Sequence, residues 1–147
     1  MTTNTGTAPT PSEWLAANPT APAEQAVAVA FLNDMERRDL AAAERALTAG
    51  FVMVFPGPAR YSRLDELVAG SRGRYKRVAK RIEAVEGFAV GSTHVVWVRG
   101  TLYGENSFGV PFADVRFVDR FEIVHGLLTR QDVWNDLAES GVLAVRS

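Results

Sequence analysis

The 147-residue sequence contains no cysteine, and this absence excludes a thiol nucleophile, a disulfide framework and a cysteine-ligated zinc site. Histidine is scarce as well. With only His94 and His125, one chain cannot supply the three histidines of a catalytic zinc site. An excess of either charge is also missing, because 16 basic and 17 acidic residues give a formal net charge of −1. This balance does not favour nucleic acid as a partner.

Long hydrophobic runs are absent too. No stretch approaches the roughly 18 apolar residues that a membrane-spanning helix needs. The first residues lack both the basic and the apolar segment of a secretory signal. We therefore expect a cytoplasmic protein that does not bind membranes.

The remaining composition, 47% hydrophobic and 22% charged, is typical of one globular domain. We predict an N-terminal tail over residues 1–21, a folded domain over 22–140 and a C-terminal tail over 141–147. Residues 1–11 are expected to be disordered, and residues 12–17 to form a short helix capped by Ser12. Trp14 in that helix either anchors the tail by burying its ring or covers a pocket or a partner subunit, and we favour the anchor.

The first half of the domain has helical periodicity. Apolar residues recur at helical spacing over 22–37, Asp39 can cap a second helix over 40–48, and a third helix begins at Ser62. Between the second and third helices, residues 51–55 are apolar and β-prone, which predicts a strand that ends at Pro56. Eight of the 16 basic residues fall within residues 60–81, and we interpret them as a solvated face rather than an anion-binding patch.

The second half has the period of strands. Residues 78–90, 93–103, 112–124 and 127–135 predict four long strands, the last two joined by the two-residue turn His125-Gly126. Helices followed by antiparallel strands predict an α+β fold with the helices on one face of a curved sheet.

The strand over 112–124 carries the most informative residue, Asp119. Because successive side chains of a strand point to opposite faces, the odd-numbered residues form the inner face and the even-numbered residues the outer one. Asp119 then lies between Phe117 and Phe121 on the inner face. A carboxylate there loses its water shell, which raises its pKa unless a cation or hydrogen-bond donors compensate.

The predicted turn also sets a register for the last two strands. Pairing outward from Val124 and Leu127 brings Asp119 opposite Asp132 and places Arg130 beside both. Opposed residues have Cβ atoms about 4.5–5.5 Å apart, so one carboxyl group could keep its proton and act as an acid while the other acts as a base. The alternative is a structural ion-pair cluster, and a bulge in the last strand would move Asp132 to the other face.

The strand over 93–103 supplies a second candidate cation, Arg99. It lies on one face with Trp97 and Tyr103, where it either reaches the pocket or stacks on these rings at the surface. The two histidines begin a strand and occupy a turn, and we expect both to be exposed.

The order of these elements resembles the SnoaL-like group of the nuclear transport factor 2-like (NTF2-like) superfamily. The resemblance rests on Arg38-Asp39 after the first long helix, on the strand that ends in Pro56-Gly57, and on the ending GLLTRQDVWND over residues 126–136. It implies three N-terminal helices packed on a highly curved, mostly antiparallel sheet that forms a cone with an internal pocket. It also implies a homodimer formed through the outer face of the sheet.

Enzymes of this group include cyclases, isomerases, dehydratases and epoxide hydrolases, and they typically use neither a metal nor an organic cofactor. Epoxide hydrolases of the group use an Arg-x-Asp pair and an Asp on the last strand. Here Arg99-Gly100-Thr101 lacks that Asp, and Val133 falls at the last-strand position. The resemblance therefore favours a cyclase, isomerase or dehydratase, with Asp119 or Asp132 as the acid–base carboxylate.

Our leading hypothesis is thus cofactor-independent proton transfer on a small apolar or aromatic molecule. Asp119 and Asp132 would share acid–base work, and Arg99 or Arg130 would stabilise negative charge. The substrate would contact five aromatic residues: Trp97, Tyr103, Phe117, Phe121 and Trp134. One alternative is a non-catalytic binding module whose polar groups only orient a ligand, and saturation of Asp119 by Arg130 or Arg99 would favour it. Another is a dimeric interaction domain whose cone is filled and has no cavity of about 300 Å³ or more.

Overall fold

A computed structural model describes residues 7–146 and has helices α1 to α5, strands β1 to β6 and one 3₁₀ helix. In chain order these are α1 (Pro11–Ala17), α2 (Ala23–Glu36), α3 (Leu40–Glu44), β1 (Leu47–Val54), β2 (Arg60–Tyr61), α4 (Leu64–Ser71), β3 (Tyr75–Val90), β4 (Thr93–Asn106), β5 (Pro111–Val124), β6 (Leu127–Asn135), α5 (Leu137–Ser140) and the 3₁₀ helix (Val142–Ala144). The strands form one sheet in the order β2-β1-β6-β5-β4-β3. Only β1 and β6 pair in parallel, so the α+β prediction with a mostly antiparallel sheet is confirmed.

The short helix α1 is present, but its cap is Thr10 rather than Ser12. The Thr10 hydroxyl accepts a hydrogen bond from the Glu13 backbone N–H, and the Glu13 carboxylate accepts one from the Thr10 N–H, which makes a capping box. Trp14 packs partly buried against the hydrophobic core, as its anchoring role predicts.

The chain that precedes α1 is bound to the sheet. The Ile82 N–H on β3 donates to the Pro9 carbonyl at 2.7 Å, and the Arg81 guanidinium donates to the Ala8 carbonyl. Of the segment expected to be disordered, residues 1–6 lie outside the described residues. The part from Ala8 onward pairs with the edge of β3.

The helix α2 matches its prediction, whereas α3 ends at Glu44, earlier than the predicted residue 48. Leu47 already pairs with Leu128 of β6, and the Leu128 N–H donates to the Ala46 carbonyl at 2.7 Å. These long-range strand contacts override the helical pattern of residues 45–48. The rings of Phe31 on α2, Phe51 on β1 and Phe121 on β5 meet edge to face in the core between helices and sheet.

The close approach of β3 and β4 depends on Gly100. A Cβ atom at this position would lie 1.9 Å from the Arg81 carbonyl oxygen, so no other residue fits without moving backbone. The β3–β4 pairing shifts by one residue between Ile82 and Ala84, next to this contact.

No helix formed by residues 7–146 combines the length and the apolarity that crossing a membrane requires.

Candidate active site

The inner face of β5 carries a buried carboxylate. Asp119 has no exposed surface and lies between Phe117 and Phe121, which are also buried. The predicted alternation of β5 is therefore confirmed. Asp119 is thus a carboxylate on an otherwise apolar face of β5.

The carboxylate of Asp119 has little to compensate for its burial. Within residues 7–146, neither oxygen accepts a hydrogen bond that meets regular geometry. The nearest cationic group is the Lys80 ammonium, whose Nζ lies 3.9 Å from Oδ2. Desolvation raises the pKa of Asp119 from 3.8 to about 6, although the charge of Lys80 and a weaker contact with Gln131 act in the opposite direction. At neutral pH this carboxylate is thus poised to accept a proton.

Lys80 comes from the inner face of β3. It alternates with Val78 and Ile82, so its stem follows the apolar side of the sheet, and its ammonium lies 5.2 Å from the centre of the Phe117 ring. The interpretation of residues 60–81 as a solvated basic face is wrong for Lys80, whose side chain is mostly buried. The alternation of residues 78–82 is the sequence signal that could have identified it.

A second carboxylate, Glu36 at the end of α2, belongs to the same site. Its Oε1 accepts a hydrogen bond from the Lys80 backbone N–H at 2.5 Å. Burial raises the pKa of Glu36, and this hydrogen bond and nearby cations, Lys80 first among them, oppose the rise. Glu36 follows Leu32 by one helical turn, so the helical period could have placed it at the apolar face.

These groups lie around a partly open cavity of about 100 Å³ that is lined by residues of α2, α4 and the sheet. Most of its lining is apolar, with polar groups contributed by Glu36, Arg38, Ser71, Tyr75, Lys80 and Gln131. Asp119 does not line the cavity. Its neighbours Lys80, Gln131 and Val133 do, so Lys80 contacts both the carboxylate and the cavity.

Gln131 on β6 is a further buried polar group. Its side-chain oxygen accepts no hydrogen bond within residues 7–146, although the residue is 4% exposed. A polar atom of this kind at a cavity wall is available to a ligand or to bound water. The sequence did not indicate Gln131 as a site residue, because the predicted register places it on the outer face of β6.

The predicted pairing of Asp119 with Asp132 is wrong. Pairing is as expected for Val124 with Leu127 and for Ile123 with Leu128, but Glu122 then pairs with Arg130. Thr129 is an extra residue, a β-bulge, and its hydroxyl donates to the Glu122 carbonyl at 3.2 Å.

The bulge reverses the faces of the rest of β6. Val133 lies opposite Asp119 on the inner face, and Asp132 lies opposite Arg120 on the outer face. There Arg130 donates two hydrogen bonds to the Asp132 carboxylate, at 2.8 and 2.9 Å. Trp134 also faces outward and is 50% exposed. Asp132, Arg130 and Trp134 therefore do not belong to the inner site.

The candidates on β4 lie on the outer face as well. Arg99 donates to the Glu83 carboxylate at 3.1 Å, and the Arg81 guanidinium lies 4.8 Å from the centre of the Tyr103 ring. Trp97 stacks on Trp134, with ring centres 6.0 Å apart. The inward role given to Arg99, Trp97 and Tyr103 is wrong, because the buried face of β4 consists of its even-numbered residues. Of the predicted site residues, only Asp119, Phe117 and Phe121 face the interior.

Within residues 7–146, no three His, Asp or Glu side chains come together in a way that could hold a metal ion. The inner site consists of carboxylates, one ammonium, one amide and apolar walls. Groups of these kinds can accept or donate protons and can stabilise charge.

No protein-family model and no curated protein matches this sequence. Solved structures do match. A proposed SnoaL-like polyketide cyclase from Shewanella putrefaciens CN-32 superposes with a TM-score of 0.71 at 15% identity, over 95% of this chain and 97% of that one. TerC, co-crystallised with polyporic acid, gives 0.69 at 17% identity, over 84% of this chain and 100% of that one.

A proposed ketosteroid isomerase from Shewanella frigidimarina NCIMB 400 gives a TM-score of 0.64 at 13% identity, over 78% of this chain and 96% of that one. At such identities the comparison concerns architecture, and it agrees with the helices and the mostly antiparallel sheet described above. The chain therefore has the α+β fold of the SnoaL-like and NTF2-like proteins.

Proposed function

We propose that this protein is an enzyme that moves a proton on a small, largely apolar molecule without a cofactor, with Asp119 as the acid–base group. The observation that carries the proposal is the state of this carboxylate: fully buried, without a hydrogen bond of regular geometry, and 3.9 Å from one ammonium group beside a cavity. A structural carboxylate in such a place is normally saturated by donors.

The environment of Asp119 suits both directions of proton transfer. With a pKa of about 6, the group is mostly ionised at pH 7 and acts as a base, and once protonated it is a competent acid. The Lys80 ammonium next to it can stabilise negative charge that develops on a substrate oxygen. A ligand in the cavity reaches Asp119 through Lys80 or by displacing it, because Lys80 contacts both.

The size of the cavity narrows the reaction class. At about 100 Å³ it is smaller than the roughly 300–1,000 Å³ of most ligand pockets. Isomerisation or dehydration of a compact molecule fits this volume, whereas folding a long chain for cyclisation or binding an aromatic substrate requires the lining side chains to move. The proposed isomerase and cyclase among the structural neighbours support the fold's capacity for proton transfer.

The proposal is tested by proton exchange. Small ketones and β-hydroxy ketones in D₂O are incubated with the protein, and NMR follows exchange of the hydrogen next to the carbonyl group. Wild type should catalyse exchange with at least one compound, and Asp119→Asn should lower the rate about 10²–10⁴-fold. Asp114→Asn, which changes an exposed residue of the same strand, should leave it unchanged. Undiminished exchange in Asp119→Asn, or none in wild type, contradicts the proposal.

Saturation of Asp119 by an arginine would have favoured the ligand-binding alternative. Arg99 and Arg130 instead pair with Glu83 and Asp132 on the outer face, so this observation does not favour it.

The outer face favours a second candidate function, a homodimeric interaction domain. Trp97 and Trp134 stack there, and half of the Trp134 surface is exposed, so the two rings form an apolar patch of the aromatic kind that is enriched in interfaces. Light scattering should show a wild-type dimer that Trp134→Glu converts to a monomer. Phe108→Glu, at an exposed ring in the turn between β4 and β5, should leave the dimer intact. A monomeric wild type contradicts this candidate.

A further inference from the structure

We infer that Lys80 is a nucleophile that forms a covalent imine with a small aldehyde or ketone in the inner cavity. The inference rests on the proposed function, because it places the substrate in the same cavity and gives Asp119 the proton transfers. It adds the substrate class, a carbonyl compound, and a covalent step.

The first argument is the placement of the amine. The Lys80 side chain lines the cavity and is 24% exposed, and within residues 7–146 its Nζ donates no hydrogen bond. Its ionic partner Asp119 is at 3.9 Å, and the Phe117 ring covers it from one side. Imine formation requires an amine that can reach the carbonyl carbon of a bound molecule, and Lys80 is placed at the wall of the cavity to do so.

The second argument is the contrast with the other lysine. The sequence contains only two, Lys76 and Lys80, although 14 arginines supply the rest of its positive charge. Lys76 is 59% exposed and lies 3.6 Å from the Glu105 carboxylate at the surface. Arginine does not form imines with simple carbonyl compounds. Of the two lysines, Lys80 is therefore the one whose amine lies at the cavity.

The volume of the cavity limits the size of the molecule that it can hold. An engineered apolar cavity of about 150 Å³ binds benzene, so the present 100 Å³ holds a molecule of about four non-hydrogen atoms. Compounds this small offer little apolar surface to bind. Burial of so little apolar surface cannot hold such a compound in the cavity, whereas a covalent bond to Lys80 can.

The chemistry balances with the groups present. The Asp119 carboxylate takes a proton from the Lys80 ammonium, and the neutral amine attacks the carbonyl carbon. A C–N bond forms as the C=O π pair moves to oxygen, which takes the proton from Asp119. The nitrogen then loses a proton to Asp119, which gives it to the hydroxyl group. This group leaves as water while the nitrogen lone pair forms C=N⁺. Overall, an ammonium and a carbonyl give an iminium and one water.

The iminium serves the proposed reaction. Its positive nitrogen withdraws electrons from the neighbouring C–H bond, and the Asp119 carboxylate beside it can remove that proton. Reprotonation at another carbon isomerises the bound molecule, or loss of a β-hydroxyl group dehydrates it. Addition of water to the C=N bond then releases the product and restores Lys80.

Reductive trapping tests the inference. The full-length protein is incubated with acetone, and in parallel with propanal, in the presence of cyanoborohydride, and peptide mass spectrometry measures labelling of each lysine. Lys80 should be labelled at least about tenfold faster than Lys76, although it is the less exposed amine. In urea the two rates should become equal. Equal or slower labelling of Lys80 in the folded protein overturns the inference, and this result needs no variant.

Variants separate this inference from the proposed function. Lys80→Arg should abolish interior labelling, Lys76→Arg should leave it unchanged, and Asp119→Asn should slow it. If Lys80 is not trapped but Asp119-dependent proton exchange occurs, the imine is excluded and the proposed function stands. If Lys80 is trapped and no exchange occurs with any carbonyl compound, the proposed function fails while the imine is retained.

Discussion

Replacing Asp119 by asparagine should stabilise the protein near neutral pH, because the change removes a buried charge and keeps the shape of the side chain. In wild type the pKa of Asp119 is about 6 in the folded state against an ordinary value of 3.8, and burial is the main cause. Between these two pH values the folded protein holds a proton that the unfolded chain has lost. The contribution of Asp119 is therefore fully present below pH 3.8 and is lost as the pH rises through about 6.

The magnitude follows from the same values. One pKa unit corresponds to about 1.36 kcal/mol, so a rise from 3.8 to about 6 corresponds to a loss of about 3 kcal/mol of unfolding free energy. The variant does not undergo this loss. The advantage of Asp119→Asn over wild type should therefore grow by about 2 to 3 kcal/mol between pH 4 and pH 8, with most of the change below about pH 6.

Urea unfolding of both proteins across this pH range measures the difference. Glu36 also has a raised pKa, but it is present in both proteins and its effect largely cancels. Asp114→Asn on the exposed face of β5 controls for the loss of a carboxylate as such. A difference between variant and wild type that stays constant within about 0.5 kcal/mol from pH 4 to pH 8 would contradict the raised pKa of Asp119.

Three further predictions concern the frame of the site. Gly100→Ala should cost about 3 kcal/mol or more, because the new Cβ meets backbone at 1.9 Å, whereas Gly50→Ala has open space and should cost little. Asn106→Ala should cost about 3 kcal/mol, since this buried amide makes four hydrogen bonds to backbone groups. Trp14→Ala should cost about 2 kcal/mol through the loss of its packing on the core.

Each of these three is measured by urea or thermal unfolding at fixed pH. Equal stability of Gly100→Ala and Gly50→Ala would contradict the close approach of β3 and β4. A loss below about 1 kcal/mol for Asn106→Ala would mean that water replaces its contacts. Unchanged stability of Trp14→Ala would show that α1 does not bind the domain through this ring.

The fold was largely predictable because its signals are local. Alternation over β4 to β6 and the two-residue turn before Leu127 located the strands within a few residues of their observed ends. The main error in the secondary structure, at the start of β1, has a long-range cause. Residues 45–48 continue the helical pattern of α3, and the pairing of Leu47 with Leu128 makes the chain extended there.

The site was predictable only in part. The alternation of β5 placed Asp119 inside, because that strand is regular between Val115 and Phe121. The partner of Asp119 depended on the register of β6, where Thr129 carries no glycine or proline signal of a bulge. Lys80 reaches Asp119 across β4, and the predicted register covered only the last two strands. A contact between strands that are not neighbours requires the twist and curvature of the whole sheet.

The bulge at Thr129 changes which residues of β6 face the interior of the protein. Even-numbered residues of β6 face the interior before Thr129, and odd-numbered residues face it after Thr129. Deletion of Thr129 would exchange these two sets of residues. The Arg130–Asp132 ion pair would then face the apolar interior, and Gln131 and Val133 would face water. A change of side chain at Thr129 costs little by comparison. We therefore expect natural variants of this protein to tolerate substitutions at Thr129 far better than insertions or deletions in β6.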